Sequence, residues 1–128
     1  MADGIGSYLA GKWLNWLNGS AETAPSALYV QLHTGDPGSA GTSNVSSVTT
    51  RKLLTATVTG DVLAASGTLP SWTSWAGTNG EEDTDLSLWD ASTGGDFLDS
   101  IQLEEPVTMY TSDTLDLSAL SVTVADAS

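Results

Sequence analysis

The segment "ALYVQLHTGDPGSAGTSN", residues 27–44, holds the chain's single histidine, His33, closely followed by Thr34 and Asp36. Histidine beside a hydroxyl and a carboxylate is the raw material of Ser-His-Asp hydrolysis, in which the imidazole takes a serine proton and the carboxylate orients it. Serine and aspartate are so common along this chain that their nearness to His33 carries no information. A Gly-x-Ser-x-Gly elbow between a strand and a helix, the local signature of such a nucleophile, does not occur. His33 therefore reads as a strand-end residue that bonds nearby backbone, with no catalytic residue assigned and no enzyme activity expected.

Two further constellations invite chemistry. "GTNGEEDTD", residues 77–85, crowds Glu81, Glu82, Asp83 and Asp85 together. Hard cations such as calcium take oxygen ligands from stretches of this kind, but the spacing lacks the alternating ligands, central glycine and distal glutamate of an EF-hand. The four residues stand as candidate cation ligands in what reads as a solvated acidic loop. Glu104 and Glu105 add a carboxylate pair, and glycoside hydrolysis would require a fixed separation that nothing in the sequence sets. Residues 6–12, "GSYLAGK", fit a phosphate-loop spacing, yet Trp13 stands where a magnesium-binding Ser or Thr is required and too few residues precede for a strand. No cofactor is expected.

These groups must be held by a scaffold, and the composition bounds its kind. The chain has 128 residues, an apolar fraction of 40% and no cysteine. It fits one domain able to bury a core without disulfides. Sixteen acids face three bases, Lys12, Arg51 and Lys52, for a net charge of −13. Such a surface repels nucleic acid, whose binding needs clustered Lys and Arg, and it repels anionic lipid. Neither nucleic acid nor membrane is an expected partner. The dispersed acidity also fits a high-salt setting, where screening relieves self-repulsion. That expectation carries a test: the unfolding temperature should rise strongly with salt. Residues 1–20 lack a basic start and a continuous apolar run, so they do not read as a signal peptide.

Ile5, Leu9, Trp13, Trp16 and Leu17 recur at helical spacing and predict an amphipathic helix over about residues 4–18, with Asp3 as N-cap and Asn18-Gly19 as its stop. This helix forms the first unit, residues 1–19; its apolar stripe is the candidate docking or oligomer interface, the alternative being that it caps the sandwich core. Residues 20–128 read as one β-sandwich domain. After Pro25 the period falls to two: Leu28, Val30 and Leu32 alternate with Tyr29 and Gln31. Asp36-Pro37-Gly38 is a turn, residues 39–47 a loop, and residues 49–62 a Thr- and Val-rich β stretch. Trp72 and Trp75 mark a short strand, Leu86 and Leu88 another, and "DASTGGDF" a hairpin turn into strands at 97–103 and 107–110. Leu115, Leu117, Leu120, Val122 and Val124 complete the pattern, and residues 125–128 read as a loosely held tail. The fold class is mainly β, an antiparallel sandwich or barrel-like domain with one N-terminal amphipathic helix. Trp72, Trp75 and Trp89 are expected in its core.

In order, "ALYVQLHTGDPG", Arg51 within "TTRKLLTATV", Trp72 and Trp75, "LSLWDASTGGDFL" and "LEEPVTMYTSDTLDLSALSVTV" cover nearly the whole chain. This ordered set resembles small virion structural proteins of tailed phages and archaeal tailed viruses, variously labelled head decoration, minor capsid or tail-fibre proteins. Asn44-Val45 and Ser112 depart from the usual pattern, and the acidic insertion at 80–85 is longer. The resemblance implies a virion structural protein, and the acidity would suit a virus of a halophilic host. The expected role is capsid decoration on the outer surface of the head, bound to the major capsid protein, and the repeated symmetric sites of a virion favour a homo-oligomer, most simply a trimer. Its alternative is a tail-fibre or receptor-binding module that contacts host surface glycans through exposed aromatics, with Trp72 and Trp75 as the residues to test.

Overall fold

Apolar residues at every second position in 28–32 and 86–88 mark the two central strands of the molecule. The computed structural model describes residues 4–123. Its elements are α1 (Ser7–Leu17), β1 (Leu28–His33), β2 (Lys52–Leu54), β3 (Ala56–Thr59), β4 (Val62–Ala65), β5 (Ser71–Trp72), β6 (Glu81–Trp89), β7 (Phe97–Met109), β8 (Leu115–Asp116) and β9 (Ser121–Thr123). Among the described residues the strands form a four-stranded sheet ordered β2-β1-β6-β7, a three-stranded sheet β3-β4-β9 and a two-stranded sheet β5-β8. All pairings are antiparallel. The chain is thus mainly β with one short N-terminal helix, as its periodicities predict.

The register separates two chemistries across the main sheet. Val30 opposes Leu88 and Leu32 opposes Leu86, which gives an apolar face. That face packs with Leu54, Trp72, Trp75, Leu98, Met109, Leu115, Leu117 and Leu120 in one buried cluster. Trp72 and Trp75 are both 2% exposed, so they are core residues, as is Trp89. The opposite face carries Gln31 against Ser87 and His33 against Asp85, all buried although polar. The segment between β1 and β2 folds back over it.

Three local expectations are corrected. The acidic stretch is not a loop: Glu81, Glu82 and Asp83 lie in β6 and pair with Met109, Thr108 and Val107. Charge suggests a solvated loop, but the backbone here is satisfied by a neighbouring strand. Residues 97–103 and 107–110 are not separate strands: β7 runs continuously to Met109 with a large bulge. Asp83 pairs with Val107 and Asp85 with Gln102, so residues 103–106 of β7 stand against Thr84 alone. The bulge puts exposed Glu104, Glu105 and Pro106 on the outer edge of the sheet, where they block further strand addition. Residues 49–62 split at Thr55 and turn at Gly60-Asp61, so that β3 pairs with β4.

The helix also begins later than its periodicity suggests. Ile5 forms a bridge with Asp99 of β7. The Gly6 amide donates to the Leu98 carbonyl at 2.7 Å, and the Ser100 amide to the Gly4 carbonyl at 2.9 Å. Residues 4–6 are therefore drawn into the sheet edge, and Gly6, in extended geometry, caps α1. A Cβ at Gly6 would lie 2.9 Å from both the Phe97 ring and its carbonyl oxygen, so the approach requires glycine. Asp3, Val124 and residues 125–128 lie outside the described residues.

Candidate functional site

His33 is fully buried at the end of β1 and bonded through both ring nitrogens. Its Nδ1–H donates to the Ser43 carbonyl at 2.8 Å. Its Nε2 accepts from Ser87 Oγ at 2.7 Å, and Ser87 Oγ in turn accepts from Trp89 Nε1–H at 2.7 Å. Donor and acceptor roles close consistently only with the neutral Nδ1–H tautomer. Burial holds the imidazole below its ordinary pKa, against the Ser43 carbonyl and nearby Asp85, which pull it upward.

A serine within 2.7 Å of a histidine has the reach of a nucleophile and its base. Here both residues are wholly enclosed, and the serine oxygen is occupied on its other side by the Trp89 indole. No path brings a scissile bond to it. The arrangement cross-links β1, β6 and the 39–47 loop. Ser87 was not singled out by sequence, although its place between Leu86 and Leu88 puts it on the polar face of β6. Thr34 bonds Asn44 instead, and Asp36 caps its own turn by accepting from the Gly38 amide at 2.8 Å. The opening segment is therefore a strand, a turn and a returning loop.

Arg51 extends this network to the surface. Its guanidinium lies 3.9 Å over the Trp89 ring. Its Nη1 donates to the carbonyls of Ala91 at 2.8 Å and Gly94 at 2.7 Å, and its Nε to Gln31 at 3.2 Å. The 90–96 turn is closed again by the Asp96 amide donating to Asp90 Oδ1 at 2.7 Å. Planar, forked Arg is the side chain suited to stacking and bridging carbonyls at once.

The four candidate cation ligands do not act as a group. Along β6, Glu82 faces solvent while Asp83 and Asp85 are buried. Glu81 accepts from Ser46 Oγ at 2.5 Å and from the Ser47 amide at 3.0 Å. Asp85 is bonded by Thr84. Asp83 is fully enclosed, and no donor reaches either carboxyl oxygen; the Glu81 side chain lies beside it, within reach of its proton. Burial, and the Glu81 carboxylate beside it, push its pKa up to about 8. A neutral, protonated Asp83 is the form this environment favours at neutral pH. Among the described residues, no three His, Asp or Glu side chains gather as a metal-holding set. The Glu104–Glu105 pair sits exposed on the β7 bulge.

The candidate interface on α1 is divided by the fold. Leu9 packs on the core, and Ile5 is tied to β7. Trp13, Trp16 and Leu17 are exposed, Trp16 to 70% and Leu17 to 74%, and Leu14 joins them at 65%. The N-terminal half of the stripe has a support and the C-terminal half overhangs it. Between the overhang and the 90–96 turn lies an open cleft of about 610 Å³, lined by Tyr8, Trp13, Trp16, Pro25, Asp90 and Asp96 among others. Lys12 and Glu22 form an ion pair at 2.8 Å along it. A second, largely apolar cleft of about 400 Å³ opens on the other side of Trp13, toward Val58, Leu63 and Val122.

A family model described as podophage GP4 fiber I protein gp80 matches residues 4–125. The match spans nearly the entire chain, and the chain belongs to this family; it is a viral structural protein. No curated protein matches it.

Proposed function

We propose that this chain, as a member of the podophage GP4 fiber I protein gp80 family, serves as a fibre component of a tailed virion and contacts the host surface. The family match carries the reading. The exposed aromatic overhang of α1 supports it, because large apolar side chains left outside a well-packed core mark a contact surface. The burial of Trp72 and Trp75 removes them as a glycan platform; Tyr8, Trp13, Trp16 and Tyr110 are the exposed aromatics, and the first three share one face.

Quantitative mass spectrometry of purified particles tests the proposal, combined with gold-labelled antibody against the chain. The expected result is a low ratio to the major capsid protein with label on the tail. Near-parity with label on the head would replace the fibre reading with outer capsid decoration, in which the major capsid protein is the partner. Absence from particles would overturn a virion role. Repeated structures assemble by symmetry, so we extend the proposal to a closed homo-oligomer, most simply a trimer. Sedimentation equilibrium of the full chain measures that directly, and a monomer at all concentrations would refute it.

A further inference from the structure

We propose that the cleft between α1 and the 90–96 turn binds an uncharged or amino-bearing saccharide; the biological setting, though not the geometry, rests on the fibre reading above. The cleft joins two chemistries that sugar recognition requires. Tyr8, Trp13 and Trp16 line one side and are open to solvent, with the Lys12 ammonium 5.3 Å from the centre of the Tyr8 ring. Aromatic ring faces stack on the C–H face of a pyranose. Asp90 and Asp96 present acceptors for hydroxyl or ammonium hydrogens on the other side. A volume of about 610 Å³ lies within the usual range of small-ligand sites.

Both walls are held before any ligand arrives. Arg51 fixes the 90–96 turn through Ala91 and Gly94, and the Asp90–Asp96 bond closes it. The Lys12–Glu22 pair ties α1 to the segment leading into β1. Preorganised walls lower the ordering cost of binding. The charge of the site selects the ligand. Lys12 and Glu22 neutralise each other, Arg51 lies behind the turn near Asp90, and Asp90 and Asp96 leave the cleft with an acidic excess on a chain that carries −13. An anionic sugar is repelled, while a neutral or amino sugar is not.

The test is calorimetric titration of the full chain with maltotriose, with the glucosamine trimer chitotriose and with trigalacturonate. Saturable binding of maltotriose or chitotriose, with none of trigalacturonate, is expected. Trp16→Ala should weaken it at least tenfold, and Tyr110→Ala, an exposed aromatic outside the cleft, should not change it. Both variants should keep the parental unfolding temperature. Absence of saturable binding with all three probes overturns the inference, as does tighter binding of trigalacturonate or binding untouched by Trp16→Ala. Self-association that Trp16→Ala abolishes, without sugar binding, would overturn it in favour of a second copy covering the cleft. Presence in particles without sugar binding refutes the saccharide site alone; sugar binding by a chain absent from particles refutes the fibre reading alone.

Discussion

Asp83→Asn should make the protein more stable at neutral and mildly alkaline pH, and the gain should grow with pH. The wild-type carboxyl is enclosed, accepts no hydrogen bond and, beside Glu81, holds its proton up to about pH 8, whereas in the unfolded chain it releases it near 3.8. The folded state therefore binds the extra proton between those values, so stability from this group is fully present below 3.8 and is lost as pH rises toward 8. Each pH unit in that window is worth about 1.4 kcal/mol, so the wild type should lose roughly 4 kcal/mol from this group between pH 5 and pH 8, less where Glu81 shares the proton. Asparagine keeps the shape, never ionises and can donate to Glu81. Urea unfolding followed by tryptophan fluorescence would be run on both proteins every half unit from pH 5 to 8.5. The difference in midpoint should widen steadily with pH while the slope m stays constant. Contributions from groups remote from Asp83 are common to both proteins and cancel in that difference. A difference that is flat across the range, or a variant less stable at pH 8, would refute the account of Asp83 as a buried neutral acid.

The remaining predictions concern the polar face and its clamp. His33→Ala should cost about 3 kcal/mol by leaving a cavity, the Ser87 hydroxyl hydrogen without its acceptor and the Ser43 carbonyl without its donor, read as a fall in urea midpoint. Because the folded imidazole resists protonation, the wild type should also lose stability as pH falls below the ordinary histidine value of 6.5, and His33→Ala should lose less over that interval. Arg51→Lys should cost about 1–3 kcal/mol and speed amide exchange at residues 94–96, since lysine cannot stack on Trp89 and bridge two carbonyls together. Gly41→Ala should cost at least about 2 kcal/mol, because Gly41 has φ +72° and an added methyl would overlap the Phe97 ring; Gly60→Ala, at φ +62° in open space, should cost only about 1 kcal/mol.

The sequence by itself determined the class of fold and most of its core. Period-two alternation in 28–33 and 86–89 is a local property, because successive side chains of a strand must point to opposite faces whatever packs there. The turn at 36–38 and the stop at Asn18-Gly19 were legible for the same reason: backbone preference needs no partner. Trp72, Trp75 and Trp89 could be placed in the core because their surroundings read as strand.

Tertiary structure decided what those local signals could not carry. The 81–83 acids look solvated until β7 pairs with them, and only that pairing encloses Asp83 beside Glu81. Ser87 became the partner of His33 through the β1–β6 register, over a separation of 54 residues that no local spacing encodes. The helical stripe gave no sign of where its support would end. The sheet edge takes up residues 4–6 and covers Leu9, and Trp13, Trp16 and Leu17 then extend past it. Periodicity fixes which residues share a face, whereas burial depends on how far the neighbouring element reaches, and that distance is set by contacts remote in sequence.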